Sequence, residues 1–222
     1  NCKTPLNIMI IFLKNKFLNI IKKKKKTFFK KNHSNFLQKK RITNDFFSSH
    51  AYNFWKILKD FKSKIYYLEI GSYEGNSVLF LLKNFPNSEV HCVDTWIKTE
   101  EYSKDINFSE IEKNFDYNTS EFKKLNKHKK TSDSFFEKNR INFDVIYIDG
   151  YHFGPQVYKD VTNAWKFLKV GGYLICDDYI WNIKSEIKLT PCYSINKFLN
   201  TINNNYKVEI VSNSQIFFKK IR

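Results

Sequence analysis

The sequence predicts an α/β protein built on a doubly wound, mostly parallel β-sheet, and two patterns along the chain support this fold class. Short apolar runs typical of buried strands alternate with amphipathic segments of helical period. Each of the first four apolar runs also has an acidic residue at its last or next-to-last position. Because the carboxyl ends of parallel strands share one edge of the sheet, where ligands bind, the sequence predicts a carboxylate-rich site there.

The individual elements follow from the same patterns. Apolar runs of five to seven residues predict four strands: Ile65–Ile70, Val90–Asp94, Phe143–Asp149 and Gly172–Asp177. Amphipathic segments predict four helices: Ser77–Asn84, Ser109–Leu125, Pro155–Leu168 and Ser194–Asn203. Two further runs, Val208–Val211 and Gln215–Lys219 on either side of residues 212–214, predict a terminal antiparallel hairpin.

The N-terminal part differs in composition and predicts a basic, partly helical arm at residues 1–44, ahead of a domain at 45–222. Residues 1–64 carry 17 basic and two acidic residues, whereas residues 65–222 carry 21 and 20. Apolar residues recur at helical spacing up to Ile21, and the lysine-rich stretch 22–41 is then expected to be solvated and mobile, because adjacent like charges resist packing. A helix-period apolar face from Phe46 to Phe61 predicts a helix that leads into the domain.

The arm has several interpretations. An apolar helix followed by lysines favours contact with an anionic membrane surface, whereas lysines alone favour nucleic acid. The arm could instead pack on the domain, exchange with a second subunit in a homodimer, or be a loosely ordered tail. Because the four cysteines form no paired motif and no apolar run is long enough for a bilayer, a cytoplasmic protein is expected, or one peripheral to the inner face of a membrane.

A glycine loop follows the first strand, in the run EIGSYEGNS from Glu69 to Ser77. It lacks the Lys of a phosphate-binding loop, and Tyr73 breaks the dinucleotide pattern. The start of the following helix, with Ser77, favours a ligand carboxylate. Asp94, 23 residues after Gly71, is placed to bind ribose hydroxyls. S-adenosylmethionine carries both groups, so it is the expected ligand.

With the segments VDTW, SDSFF, FDVIYIDGYH and LKVGGYLICDDY, this loop resembles the class I S-adenosylmethionine-dependent methyltransferases. The resemblance covers about residues 45–222 and is closest to the cation-dependent small-molecule O-methyltransferases of the catechol and macrolide-sugar types. It implies a Rossmann-like sheet of seven strands. The cofactor-binding residues that it implies are Glu69, Gly71, Tyr73, Gly75, Ser77, Asp94, Asp133, Ser134 and Asp149.

The resemblance also implies a divalent cation, Mg²⁺ or Mn²⁺, held by Asp149, Asp177 and Asp178. The catechol type has Asp-Asn where this chain has Asp177-Asp178, a change that keeps an oxygen ligand at each position. Three carboxylates form a hard oxygen site of the kind that suits these ions. The alternatives are that Asp149 merely ends a strand and that Asp178 caps the segment after it.

His152 lies three residues after Asp149 and is the predicted general base, so His152 and Asp149 are the candidate catalytic residues. The macrolide-sugar type has a histidine at this spacing and the catechol type has a lysine. A structural role for His152, orienting Tyr151 or the loop, is the alternative. Trp96 and Trp181 are expected either to flank the cofactor or acceptor or to belong to the core.

The predicted function is metal-assisted methylation of a small hydroxylated molecule, including a sugar, with S-adenosylmethionine as donor. One alternative is a nucleic-acid-directed methyltransferase whose lysine-rich arm supplies backbone affinity, although the domain itself is nearly neutral. The other is a non-catalytic binding protein on a methyltransferase fold.

Overall fold

The computed structural model describes residues 5–102, 105–182, 186–212 and 214–222. Its internal contacts divide the chain between Asp60 and Phe61 into two units. The boundary between arm and domain after residue 44 stays a prediction. Among the described residues, no helix combines the length and the apolar character needed to cross a membrane.

The first unit contains two helices, α1 (Pro5–Leu37) and α2 (Ala51–Leu58). Within the lysine-rich stretch 22–41, residues 22–37 are helical and continue α1, and the expectation that this stretch resists packing is wrong at Phe29. Lysine is a good helix former, and the lysines here keep their ammonium groups in water. The ring of Phe29 also packs on the ring of Trp55, with centroids 4.8 Å apart, which fastens this part of α1 to α2.

The second helix is shorter than the apolar face from Phe46 to Phe61 predicts. The residues before Ala51 form a turn, in which Oδ1 of Asp45 accepts a hydrogen bond from the backbone N–H of Ser48 at 2.9 Å. Local capping by Asp45 therefore stabilises the turn rather than the start of α2.

The second unit is a seven-stranded sheet with the order β3-β2-β1-β4-β5-β7-β6. Its strands are β1 (Tyr66–Ile70), β2 (Glu89–Asp94), β3 (Leu125–Lys129), β4 (Phe143–Ile148), β5 (Leu168–Cys176), β6 (Tyr206–Val211) and β7 (Ile216–Lys220). Strands β1–β5 pair in parallel, and β7 runs antiparallel to both β5 and β6. The predicted α/β fold class, with its terminal hairpin, is confirmed. Asn213, in the predicted hairpin turn, lies outside the described residues.

Helices join the strands and cover the sheet. They are α3 (Asn76–Asn84), α4 (Phe108–Thr119), α5 (Ser132–Lys138), α6 (Gly154–Phe167) and α7 (Pro191–Leu199), with a short 3₁₀ helix at Ile187–Leu189. Nearly all side chains of β1 and β4 are buried, because these central strands are covered on both faces.

Two predicted helices have wrong bounds. The helix predicted at Ser109–Leu125 ends at Thr119, since Leu125 begins β3, a strand that the sequence does not predict. Its run LNKHK is mostly polar because β3 is an edge strand that pairs only with β2. The helix predicted at Ser194–Asn203 runs from Pro191 to Leu199, where Thr190 caps its first turn.

Candidate active site

The acidic strand ends meet at one edge of the sheet, where β1 lies between β2 and β4. A cavity of about 310 Å³ opens there. Its lining includes Gly71, Tyr73, Asp94, Asp133 and Asp149. The connection after β1 runs toward β2 and the connection after β4 runs toward β5, in opposite directions across the sheet, and α/β sheets bind ligands at such a point.

The glycine loop passes unusually close to β4. Gly71 has φ of 86°, and a Cβ atom there would lie 2.1 Å from the carbonyl oxygen of Asp149. Only glycine fits both the left-handed conformation and this approach. Gly75 also has positive φ and caps α3, but its Cα faces the ring of Phe115 and it does not line the cavity.

Asp94 lines the cavity and also holds the loop. Its Oδ2 accepts hydrogen bonds from the backbone N–H groups of Ser72 and Tyr73, at 2.9 and 3.0 Å, and Oδ1 accepts one from Trp96 at 2.7 Å. Burial raises the pKa of Asp94, and these N–H groups act against the increase. A carboxylate oxygen can accept more than one bond, so Asp94 can bind ribose hydroxyls and clamp the loop at once.

Trp96 is a core residue behind the loop and does not line the cavity. Its indole N–H donates to the carbonyl oxygen of Tyr73 at 2.9 Å, and its ring packs on Phe115 with centroids 4.9 Å apart. The ammonium group of Lys127 lies 4.5 Å from the centre of the indole ring. Of the two roles that the sequence allows for Trp96, the structure places it in the core.

Glu69 and Ser77 are bonded to each other beneath the loop. The Ser77 hydroxyl donates to the Glu69 carboxylate at 2.8–2.9 Å, and the Tyr67 hydroxyl donates to the same group at 2.7 Å. Burial raises the pKa of Glu69 to about 8, against the effect of these hydrogen bonds. Neither Glu69 nor Ser77 lines the cavity, so a direct contact with cofactor stays a prediction for both.

The two residues predicted beside the adenine lie in the first turn of α5. Asp133 lines the cavity and lies 3.3 Å from the ammonium group of Lys159. Ser134 does not line the cavity; its backbone N–H donates to the Thr131 hydroxyl that caps the helix. The structure therefore brings Asp133, and not the Ser134 side chain, to the cavity wall.

Beside the cavity, Asp149, His152 and Asp178 form a cluster whose ligand atoms all lie within 4.8 Å of one another. Nε2 of His152 lies 3.6 Å from Oδ1 of Asp149 and 3.2 Å from Oδ2 of Asp178. These are charge contacts, because the buried Nε2 has no aligned hydrogen-bond partner among the described residues. A buried nitrogen without a partner, facing two carboxylates, fits a site built for a cation.

Glu101 is a site residue that the sequence does not predict. Its Oε1 accepts a hydrogen bond from the backbone N–H of His152 at 2.9 Å and lies 3.3 Å from Nδ1 of the same residue. Glu101 comes from the segment after β2, 51 residues before His152, and no local spacing links the two. The contact with Nδ1 orients the imidazole so that Nε2 faces the cluster.

Charge coupling sets the protonation of the cluster. Burial lowers the pKa of His152, but Asp149 and Glu101 outweigh it and raise that pKa to about 10. Burial and the charge of Asp177 raise the pKa of Asp149 to about 7, although His152 acts to lower it. These neighbouring carboxylates therefore favour a protonated His152, whereas its predicted role as a general base needs a neutral imidazole.

Asp177 is not a member of this cluster; the structure groups His152, in place of Asp177, with Asp149 and Asp178. Oδ2 of Asp177 accepts hydrogen bonds from the Tyr147 hydroxyl and from Nε2 of Gln215, the latter at 2.7 Å. The Tyr147 hydroxyl also lies 2.9 Å from Oδ2 of Asp149. Tyr147 and Gln215 are thus two further residues of the site that the sequence does not predict. The two-residue spacing of Tyr147 and Asp149 on one strand was the only available signal.

A second pocket of about 600 Å³ is lined in part by His152. Its lining includes Glu100, Glu101, Tyr151, Phe153 and Trp181. Trp181 is half exposed and its ring centre lies 5.6 Å from that of His152. Because this pocket shares Glu101 and Tyr151 with the first cavity, a molecule in it would be adjacent to the cluster.

Solved structures with the same fold include methyltransferases. A predicted O-methyltransferase from Klebsiella pneumoniae is 12% identical, with a TM-score of 0.61, over 82% of this chain and 84% of that one. A second structure is the MycE methyltransferase of the mycinamycin biosynthetic pathway, in complex with Mg, SAH and mycinamycin VI. It is 14% identical, with a TM-score of 0.58, over 81% of this chain and 51% of that one. The O-methyltransferase TomG from Streptomyces achromogenes, in complex with SAM, is 12% identical, with a TM-score of 0.53, over 71% of this chain and 73% of that one.

These identities show a shared fold, and this chain spans about half the length of MycE. No curated protein matches the sequence. A family model described as a methyltransferase domain matches residues 68–179, about half of the chain, from β1 to just beyond β5. That range contains the glycine loop, Asp94 and the Asp149–His152–Asp178 cluster, and the chain therefore belongs to this methyltransferase-domain family.

Proposed function

We propose that the protein is an S-adenosylmethionine-dependent O-methyltransferase that acts on a small hydroxylated molecule with the help of a divalent cation. One observation carries the proposal: Asp149 lines the cavity with Asp94 and Asp133 and also belongs to the cluster with His152 and Asp178. A cofactor in the cavity and a cation at the cluster would therefore share one carboxylate. Methyl transfer to oxygen needs such closeness between donor and acceptor.

The residues of the cavity fit the cofactor. Asp94, Asp133 and Gly71 all line the cavity. We expect Asp94 to bind the ribose hydroxyls, Asp133 to lie beside the adenine and Gly71 to lie at the methionine end. The hydrogen bond from Ser77 to Glu69 joins the two ends of the glycine loop and so stabilises it. When bound, the cofactor supplies an electrophilic sulfonium methyl group. The SAM and SAH complexes of TomG and MycE support the assignment.

The cluster fits a hard cation such as Mg²⁺ or Mn²⁺. Asp149 and Asp178 offer carboxylate oxygens within 4.8 Å of each other. Asp177 remains a predicted ligand, held in this structure by Tyr147 and Gln215. When bound, the cation lowers the pKa of an acceptor hydroxyl. The Mg complex of MycE supports this assignment.

His152 is proposed to take the acceptor proton at Nε2. Glu101 holds the ring through its backbone N–H and Nδ1, which leaves Nε2 directed at the cluster. His152 must first lose the proton that the surrounding carboxylates stabilise. Positive charge at the cluster disfavours that proton, so the base would be active when the cation site is filled.

The second pocket is the proposed acceptor site, because it borders both His152 and the cavity. Its exposed rings, Phe153 and Trp181, offer a face for the apolar side of a sugar or for an aromatic acceptor. A sugar acceptor, a homodimer and a cytoplasmic location are finer proposals from the sequence, and the nucleic-acid contact of the arm stays an alternative that only the sequence suggests.

The test combines binding and turnover. Calorimetry should show SAH binding that Asp94→Ala weakens at least about tenfold. With a panel of sugars and catechols as acceptors, SAH release should need Mg²⁺ and stop in excess chelator. His152→Ala should lower turnover about 10²–10⁴-fold with SAH affinity kept.

Asp178→Asn should lose metal-dependent turnover, whereas the matched control Asp60→Asn, at an exposed carboxylate, should not. Binding of NAD in place of SAH, or of neither ligand, would contradict the methyltransferase assignment. Full turnover in excess chelator would contradict the proposed role of the cation but not the methyltransferase assignment.

A further inference from the structure

We propose that α1 is a peripheral anchor that binds the surface of an anionic lipid bilayer. The first observation is its charge. The helix contains nine lysines and no acidic residue. Seven of the lysines are exposed: Lys22, Lys23, Lys24, Lys25, Lys26, Lys30 and Lys31. Within the part of the chain that the structure describes, none of these seven ammonium groups is paired with a carboxylate.

The second observation is apolar exposure on the same helix. Ile20 is 46% exposed and Phe28 is 59% exposed, eight residues apart. At 3.6 residues per turn, these two side chains lie on one stripe of α1, with Lys24 between them. The neighbouring Phe29 instead packs on Trp55 of α2. One side of the helix is therefore fixed within its unit, while another side presents apolar groups among lysines.

The third observation is the order of residue types along the helix. Residues 5–21 are mostly Leu, Ile, Phe and Met, and the lysine cluster of residues 22–31 follows directly. The helix is thus apolar in its first half and cationic in its second. It is nevertheless not apolar enough to cross a bilayer. An apolar segment followed directly by a lysine cluster binds an anionic bilayer surface when its apolar groups insert below the headgroups and its lysines contact the anionic lipids.

The same features disfavour nucleic acid as the partner. Lysines alone would bind a phosphate backbone, but that binding gives no role to an apolar half-helix or to exposed Ile20. Charge complementarity and apolar exposure together select anionic lipid. RNA and a second copy of the chain become outcomes of the test.

The experiment measures partition of the full chain onto vesicles of phosphatidylcholine with about 30 mol% phosphatidylserine, and onto pure phosphatidylcholine. We expect binding to the anionic vesicles only, weakened at about 0.5 M salt. A variant with Lys22→Gln, Lys24→Gln, Lys26→Gln and Lys30→Gln should partition at least about tenfold less. Glutamine keeps helix propensity, so melting curves should match those of the wild type.

The control variant removes the same charge elsewhere, with Lys113→Gln, Lys123→Gln, Lys138→Gln and Lys207→Gln, and should partition like the wild type. Phe28→Ala should weaken binding to anionic vesicles without changing its salt dependence. The proposal is overturned if the two quadruple variants partition equally. It is also overturned if α1 mediates binding of single-stranded RNA, or dimerisation in sedimentation, while vesicles are not bound.

Discussion

The indole N–H of Trp96 is hydrogen-bonded to the carbonyl oxygen of Tyr73, and both residues have the same left-handed backbone conformation, with φ of 47°. Residues with a side chain rarely adopt this conformation, which costs about 1 kcal/mol or more at each position. The bond joins the glycine loop to the segment after β2, so each strained residue stabilises the other. The Asp94 carboxylate connects the same two residues a second time, because it accepts hydrogen bonds from the backbone N–H groups of both.

Trp96→Phe should therefore weaken SAH binding. Phenylalanine keeps most of the packing on Phe115 but removes the donor to Tyr73, a loss of about 1 kcal/mol, or about fivefold in affinity. Calorimetry measures the affinity. Trp181→Phe, which changes no contact of the loop, is the control, and equal affinities for the two variants would contradict the link.

Gly71→Ala should destabilise the fold far more than Gly171→Ala. Both glycines have positive φ, at 86° and 83°, so both variants carry the same backbone strain of about 1–2 kcal/mol. At Gly71 the new Cβ would also lie 2.1 Å from the Asp149 carbonyl oxygen, whereas nothing lies within 4 Å at Gly171. Denaturant unfolding should show an additional loss of about 3 kcal/mol or more for Gly71→Ala. Similar denaturant midpoints for the two variants would contradict this, because they would mean that the backbone at Asp149 shifts away from the new Cβ atom.

Tyr147→Phe should raise the Mg²⁺ concentration needed for half-maximal turnover by about 10–100-fold. The variant removes the hydroxyl that holds the Asp177 and Asp149 carboxylates in place. Activity titrated with Mg²⁺ measures the effect. Tyr206→Phe on β6, whose hydroxyl makes no hydrogen bond among the described residues, should leave the titration unchanged. An unaltered Mg²⁺ dependence in Tyr147→Phe would exclude this supporting role.

Glu69→Gln should change how stability depends on pH. The pKa of Glu69 is about 8 in the folded chain, above the ordinary value of 4.5, so the folded state holds a proton that the unfolded state releases first. Its contribution is full below about pH 4.5 and is lost as the pH rises toward 8. Glutamine mimics the protonated form, so the variant should lose less stability than the wild type between these limits. Melting temperatures at pH 5 and pH 8.5 test this, and parallel curves for the two proteins would contradict it.

The sequence predicts the central elements of this fold because their signals are local. Strands β1 and β4 are buried on both faces, so they appear as continuous apolar runs. Strand β3 carries little apolar signal, since an edge strand buries less of its surface. The lysine run predicts a mobile stretch through charge repulsion, which is a local signal, whereas the packing of Phe29 on Trp55 is not encoded by any local pattern.

For the candidate site, sequence reasoning finds residues at strand ends and fails on the residues that orient them. Asp149, His152 and Asp178 follow from motif spacing, and the structure brings them together. Glu101 contacts His152 from 51 residues earlier in the chain, and Gln215 contacts Asp177 from 38 residues later. No period or motif encodes such pairings, which depend on how loops lie across the completed sheet.

The position of β7 has a consequence for how the site assembles. It is the last strand along the chain, yet it pairs with β5 and separates that strand from β6. Gln215, just before β7, donates one of the two hydrogen bonds that Oδ2 of Asp177 accepts, the other coming from Tyr147. The position of Asp177 at the end of β5 is therefore set partly by the strand that the chain adds last, so a change in β7 that shifts its register would be felt at the candidate site.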